Sequence, residues 1–456
     1  MSTYFHRTVW RAAGFGAPCC LLALVPALIR AQDSPTPTHD SARAAVLAPA
    51  PHRVVAVLVQ GNRRTKPEII LRELFTQVGD SVNVGRLEAD RKRILNLGLF
   101  NRVEVRPLNL EKGVVLLITV DERWYFFPFP IFYYNDNDVK KLSYGLGVVH
   151  SNVGGRARQL LFSGWLGYNP GVQVSYHDPW VFDEARMFAT TRFYLIRQRS
   201  KSLELLGREI DELQLGGSWT IGKRYGLRTY VSSTLGFRQV KLDPSVPGKT
   251  LNPSGLDRLP ELGLAFLYDN RDLYEYPRRG QLVQLFVRRV GFGAPYIHYW
   301  RYGTDLRFYQ PVIGGLSLCT RAFADLAAGR LPIYDRVYFG YFYRLRGYFN
   351  RAFQGENMFL GSGELRLPLL KPRYVSLNLG ALRQYTQNLK FGISVALFAD
   401  TGTLWFDDQA PSFQTLISGY GASLDVHLPY VELVRFAYAI NDHGQREGIV
   451  ILGLPF

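Results

Sequence analysis

The chain has 456 residues, of which 47% are hydrophobic, 14% aromatic and 20% charged, with 43 glycines. This composition excludes a disordered chain and permits a large buried or lipid-facing apolar surface. The net charge of +16 suggests an anionic neighbour, but the basic residues are scattered through alternating segments rather than gathered into a run. That distribution argues against nucleic acid and favours lipid headgroups or a charged interior.

In chain order, Arg7 and Arg11 precede the apolar run "APCCLLALVPALI", and Ala31 offers a small residue before Gln32. Residues 1–31 therefore read as a signal peptide, the run being shorter than the roughly 20 apolar residues of a spanning helix. Cys19 and Cys20 would leave with it, so Cys319 stands alone and no disulfide framework is expected. Residues 32–52 are rich in Pro, Ser, Thr and Ala without apolar periodicity and read as a flexible linker.

From Arg53 the pattern becomes a β-branched strand, a turn at Gly61 and Asn62, and a helical stretch with Ile69, Leu71 and Leu74 toward a core. A second helix comes next, with Leu87, Ile94 and Leu95 on one face, and then the strands "FNRVEVRPL" and "GVVLLITVDE", joined at Lys112 and Gly113. Residues 53–123 are thus expected to form a compact α+β domain.

Residues 124–456 hold no defensible helix-period segment. They alternate instead. In "RYGTDLRFY", Tyr302, Thr304, Leu306 and Phe308 oppose Arg301, Gly303, Asp305 and Arg307; "SYGLGVV" and "GVQVSYH" behave the same way. A soluble sandwich also alternates. Three features point instead to membrane-spanning strands: lengths of about 9 to 12 residues, aromatics crowding the ends in "YIHYW", "FGYFY" and "WYFFPFPIFYY", and charges such as Arg301 and Arg307 that suit a wet lumen. In lipid such strands must close, so an all-β transmembrane barrel of about 16 antiparallel strands is expected.

The segment opening with "VQGNRRT" and continuing through "NLGLFNRVEV" resembles a polypeptide-transport-associated (POTRA) domain. The succession "FGYFYRLRGYFN", "GSGELRLPLL", "LFADTGTLW", "GYGASL" and "GIVILGLPF", preceded by "YDNRDLYEYPRRG", resembles the BamA/TamA-like superfamily of outer-membrane assembly factors, with its bacterial surface antigen barrel. The resemblance covers nearly all the chain after the linker. It implies that Arg346, Gly347 and Tyr348 lie on a long extracellular loop between strands eleven and twelve. This loop folds into the lumen, where the matching acids are Glu364 and Asp400. It also implies a hairpin motif of Asp269, Arg271, Asp272, Pro277 and Gly280, and a terminal strand signal at Phe456. The family's branches carry five, three or two POTRA modules, whereas residues 53–123 have room for one, so the branch stays open.

By the same resemblance, an outer-membrane protein is expected, with its POTRA-like domain in the periplasm, acting as an insertase or translocation pore for unfolded polypeptides. A two-partner-secretion transporter of a single client and a structural surface-antigen barrel are the alternatives. The partners implied are unfolded outer-membrane or secreted polypeptides and outer-membrane lipids, with periplasmic chaperones or lipoprotein subunits as further candidates and no nucleic acid. In this reading client strands would pair at a weak seam between first and last strands, near Leu142 to Val149 and Gly448 to Phe456. No enzyme is expected: "PSVPGKT" has Asp243 where a phosphate loop needs its first glycine, "GYGASL" lacks a third glycine, and Asp269, Asp272 and Glu275 sit beside Arg271, Arg278 and Arg279. Neither a cofactor nor a metal is expected.

Overall fold

The computed structural model describes residues 53–452 except short interior segments at 135–138, 183–184, 206–209, 243–248, 341–342, 344, 350, 377–387, 410 and 429–432. The signal, the linker and Phe456 lie outside the described residues. The first unit contains strand β1 (Val54–Gln60), helices α1 (Pro67–Leu71) and α2 (Val84–Asn96), and strands β2 (Phe100–Leu110) and β3 (Gly113–Glu122). Its sheet order is β1-β3-β2, with β1 parallel to β3 and β2 antiparallel to it.

Asn83 starts α2 by accepting a hydrogen bond from the Arg86 backbone N–H. The helix then buries Leu87 and Ile94, as their spacing predicts. Ile69 and Leu74 are buried too, but Leu71 is 38% exposed and Ile70 takes the core position. The reason is that α1 is a single five-residue turn, too short to present a periodic face. Ile69, Ile70, Leu74, Ile94, Phe100 and Ile118 share one core drawn mainly from the domain itself, with Tyr125 and Ala157 of the second unit packed on its rim. We therefore expect residues 53–123, expressed alone, to give a helix-plus-strand dichroism spectrum and a cooperative melt; a coil spectrum would overturn this reading.

The second unit is a 16-stranded antiparallel sheet that wraps around a packed interior. In chain order its strands are β4 (Phe126–Tyr134), β5 (Leu142–Val153), β6 (Arg158–Gly167), β7 (Gly171–Phe182), β8 (Met187–Arg199), β9 (Asp211–Tyr225), β10 (Thr229–Leu242), β11 (Leu256–Asp269), β12 (Gly280–Val290), β13 (Tyr299–Pro311) and β14 (Ser317–Gly329). After a loop containing the short ribbon β15 (Val337–Phe339) and β16 (Phe353–Gly355) come β17 (Asn357–Val375), β18 (Leu389–Trp405), β19 (Ile417–His427), β20 (Val434–Asn441) and β21 (Arg446–Leu452). Each strand of the sheet pairs with its neighbour in sequence, β15 and β16 standing apart, so the order runs from β4 to β21.

Tyr302, Phe308, Val172, Val174, Tyr144 and Leu146 face outward and are exposed, while Gln173, Ser175, Arg301, Asp305 and Arg307 face inward and are buried. This is the alternation of a lipid-facing sheet with a polar interior. Among the described residues no helix is long and apolar enough to cross a membrane.

Two expectations are corrected. The first strand of the sheet is Phe126–Tyr134, and Leu142–Val153 is the second. Pro128 and Pro130 hide the strand signature of this segment, since proline cannot donate to a ladder and survives only on an edge. Nor are Arg301 and Arg307 solvated charges: Arg301 binds Asp325 at 2.7 Å, and Arg307 forks onto Asp305, which also receives Arg321 at 2.9 Å. Their partners are on the neighbouring strand or two residues along the same one, a relation that becomes visible only with the register.

Candidate functional site

The loop joining β14 to β17 dips into the interior and places Arg346 beside the two acids of the matching motifs. A tight turn forms where the Tyr348 N–H donates to the Leu345 carbonyl at 3.0 Å. Gly347 has φ +102°, a conformation that disfavours any side chain, and a Cβ there would lie 3.3 Å from Asn441 and Gly419. Gly419, in "GYGASL", is equally required: a Cβ at this position would sit 1.9 Å from the Arg346 carbonyl oxygen. The loop lies against bare backbone of β19.

Arg346 is 2% exposed, and its fork donates from Nε to Asp400 Oδ2 at 2.6 Å and from Nη2 to Asp400 Oδ1 at 2.5 Å. Its backbone N–H adds a third bond to Asp400 at 3.2 Å, and the guanidinium lies 3.8 Å from the Phe398 ring centroid. Glu364 is the second carboxylate, 3.6 Å from Arg346 Nη1. The structure thus brings Arg346, Glu364 and Asp400 into one buried cluster.

Glu364 has further partners that sequence reasoning missed. Arg366 approaches it at 3.2 Å and Arg435 at 2.5 Å, and Arg435 also forks onto Asp425 with two bonds of 2.7 Å. Glu364 and Arg366 are two residues apart and so share a strand face, a signal present in "GELRL". Arg435 and Asp425 come from strands whose pairing no local pattern announces. Three arginines and three carboxylates, from the loop, β17, β18, β19 and β20, fill this part of the interior.

Beyond the arginine, the loop reaches the last two strands. Asn441 Nδ2 donates to the Gly347 carbonyl at 3.1 Å, and the Phe349 N–H donates to Glu447 Oε2 on β21 at 2.8 Å. The buried Tyr348 hydroxyl donates to Asp442, in the turn between β20 and β21, and its ring meets Phe353 edge to face at 5.5 Å.

The hairpin motif lies at the opposite end of the sheet. Arg271 forks onto Asp269 at 2.9 and 2.7 Å with both side chains buried. Asp272 accepts the backbone N–H groups of Arg278 and Arg279, Pro277 is buried, and Gly280 has φ +108° where the chain re-enters β12. This hairpin receives the α+β domain: Lys92 pairs with Asp272 at 3.2 Å, Asn96 donates to the Asp272 carbonyl, and the Tyr274 N–H donates to Asn96.

A buried triad seals the same interface. Glu73, 4% exposed, accepts from Arg93 of α2 at 2.6 Å and from both terminal nitrogens of Arg224 on β9 at 2.6 and 2.7 Å. Burial favours the neutral acid, but the two guanidiniums outweigh it and hold the Glu73 carboxyl well below its usual range. Among the described residues no cluster of His, Cys, Asp and Glu could hold a metal.

A POTRA-type domain docked on one end of a 16-stranded sheet with a lipid-facing exterior defines an outer-membrane barrel whose N-terminal domain lies in the periplasm. Residues 152–450 match the Omp85 superfamily domain, and residues 52–123 match the POTRA family described as a surface antigen variable number repeat. The chain belongs to the Omp85 superfamily. It is 23% identical to the outer membrane protein assembly factor BamA of Neorickettsia risticii, over 77% of this chain and 48% of that protein. The chain thus spans about half the length of this curated relative. Solved structures with a similar fold include BamA from Haemophilus ducreyi lacking POTRA domains 1–3 (TM-score 0.54, 17% identity, 87% of this chain and 83% of that one). CdiB from Escherichia coli is also similar (TM-score 0.52, 12% identity, 98% and 95%), as is CdiB from Acinetobacter baumannii (0.51, 15%, 87% and 72%).

Proposed function

We propose that the chain is a non-enzymatic insertase of the outer membrane, acting on unfolded β-rich polypeptides that arrive through the periplasm. The observation that carries this reading is the single sheet of 16 antiparallel strands bearing a POTRA-type domain, in which β4 and β21 are the terminal strands and the place where the wall can part. Unpaired N–H and C=O groups in lipid are costly, and an extended client strand can satisfy them. The curated relative is an outer membrane protein assembly factor, which supports the same direction. The periplasmic domain offers a second pairing site at the outer edge of β2, in the β1-β3-β2 sheet.

The likeness to CdiB keeps a second reading, in which one client is threaded through the lumen. The packed cluster around Arg346 would have to leave for that. A structural surface-antigen barrel is a third. Photo-cross-linkers at the outward, seam-proximal Phe132 and Val450, compared with the inward Gln173 and Ser423, separate them. We expect many clients captured at the first pair of positions and few at the second. Capture of one client at the inward positions alone would replace the insertase by a transporter, and capture at neither would favour the structural barrel.

A further inference from the structure

The outward face of the wall is not uniform at the strand ends away from the α+β domain. Arg197 and Arg199 on β8, Lys241 on β10, Arg258 on β11 and Arg289 on β12 all face outward, each within two residues of its strand end. The pairing register gathers them. Arg197, Leu213, Lys241 and Leu256 form one row across β8 to β11, and Arg258 opposes Gln239, the next outward position below Lys241. Lys241 and Arg258 are thus diagonal neighbours on one face, about 7–8 Å apart. Arg289 lies between Leu262 and Trp300 in its own row, and its guanidinium is 5.2 Å from the Trp300 ring centroid.

One acid stands against these five cations. Asp211 accepts from Arg197 Nε at 2.8 Å and also pairs with Arg199. Among the described residues, Lys241, Arg258 and Arg289 have no carboxylate partner. Outward positions at the same end of β4 to β7, β13, β14 and β17 to β20 carry no charge among the described residues, and β21 carries only Arg446. Below the patch the surface is apolar, with Phe237, Leu262, Leu264 and Leu285 each about half exposed. The strands β8 to β12 are the fifth to ninth of the sixteen, so the patch lies on the wall opposite the terminal strands.

We propose that this sector is a binding site for a phosphate-bearing lipid of the extracellular leaflet. Cations that merely reach for the membrane surface would be spread around the whole rim, whereas these occupy one sector and repel one another unless an anion joins them. At that depth the available anion is a lipid phosphate, which an arginine fork matches well. Lys241, Arg258 and Arg289 hold the headgroup, the Trp300 ring sits at its level, and the acyl chains lie on Phe237, Leu262 and Leu285. A lipid held there fixes the depth of the wall that faces the terminal strands. The site stands independently of the insertase reading.

The test uses the full chain in detergent micelles and two probes, diphosphorylated lipid A and the same lipid with its phosphates removed, with bound lipid counted by native mass spectrometry. We expect the phosphorylated form to be retained and the phosphate-free form to be lost. Lys241→Gln with Arg258→Gln should lower the affinity about 25-fold, or about fivefold for each charge removed at a lipid surface. Arg446→Gln removes an outward cation outside the sector and should leave binding unchanged. The mobility of the unboiled protein on a detergent gel reports that each variant has folded, and Arg258→Gln alone, with about a fivefold loss, serves if the pair does not fold. Inorganic phosphate should not displace the lipid. Retention of neither probe, equal retention of both, undiminished binding by a folded variant, an equal loss in Arg446→Gln, or displacement by inorganic phosphate would each overturn the site.

Discussion

Replacing Arg346 by alanine is expected to cost about 3 to 5 kcal/mol of barrel stability and to reduce client insertion with it. Asp400 takes three of its hydrogen bonds from Arg346, two from the side chain and one from the backbone, and the carboxylate is only 4% exposed. Truncation strands that charge away from water, whereas Glu364 keeps Arg366 and Arg435. An exposed pair would cost only about 0 to 1 kcal/mol, so the size of the effect itself reports burial. Arg346→Lys should recover part of the loss, because an ammonium cannot span both carboxylate oxygens. The decisive measurement is a double-mutant cycle with Asp400→Asn, read as the temperature at which the unboiled form disappears and as insertion rate. Additive single defects would mean that the pair makes no energetic contact and that the loop is held by its other bonds.

The second large effect is expected at the domain interface. Glu73→Ala leaves Arg93 and Arg224 buried together without their carboxylate, a loss of about 3 to 5 kcal/mol from docking. The domain itself should stay folded, since its core does not include Glu73. Tryptic cleavage at Arg123, between β3 and β4, should accelerate while the excised barrel keeps its heat-dependent mobility. Unchanged cleavage would show that the remaining contacts at Asp272 and Asn96 suffice. Glu73 titrates below its ordinary range when docked, so its contribution is complete above about pH 5 and fades only as the pH falls through the lowered value. Docking of the two units in the unaltered chain, followed by energy transfer between a label on each, should therefore be constant from about pH 8 to pH 5 and weaken only in stronger acid.

These two sites also measure what the sequence can disclose. The alternation of "RYGTDLRFY" is a local property, and it determines the strand faces. The loop motif could be placed because Arg346, Glu364 and Asp400 each sit in a recognisable string. Glu73 and Arg224 sit in none: they are 151 positions apart, and only the docking of two units brings them together. The pairing of Arg301 with Asp325 likewise depends on a register that composition cannot supply. The first strand escapes notice for another reason. Its two prolines contradict the signature of an interior strand, although the same contradiction marks an edge.

Glu364 and Arg366 on β17 point inward together with Asp400 on β18 and Arg435 on β20, and their ion pairs exist at one alignment of these strands only. A slip of β17 by a single residue would turn both of its charges into hydrocarbon and bring Leu365 and Leu367 into the polar interior. Such an error is far more expensive than a slip among valines and leucines, which costs little on either face. While the barrel is itself being assembled, this cluster therefore serves as a checksum: misaligned intermediates fail it, and the loop seats its arginine only on a wall that has been put together correctly.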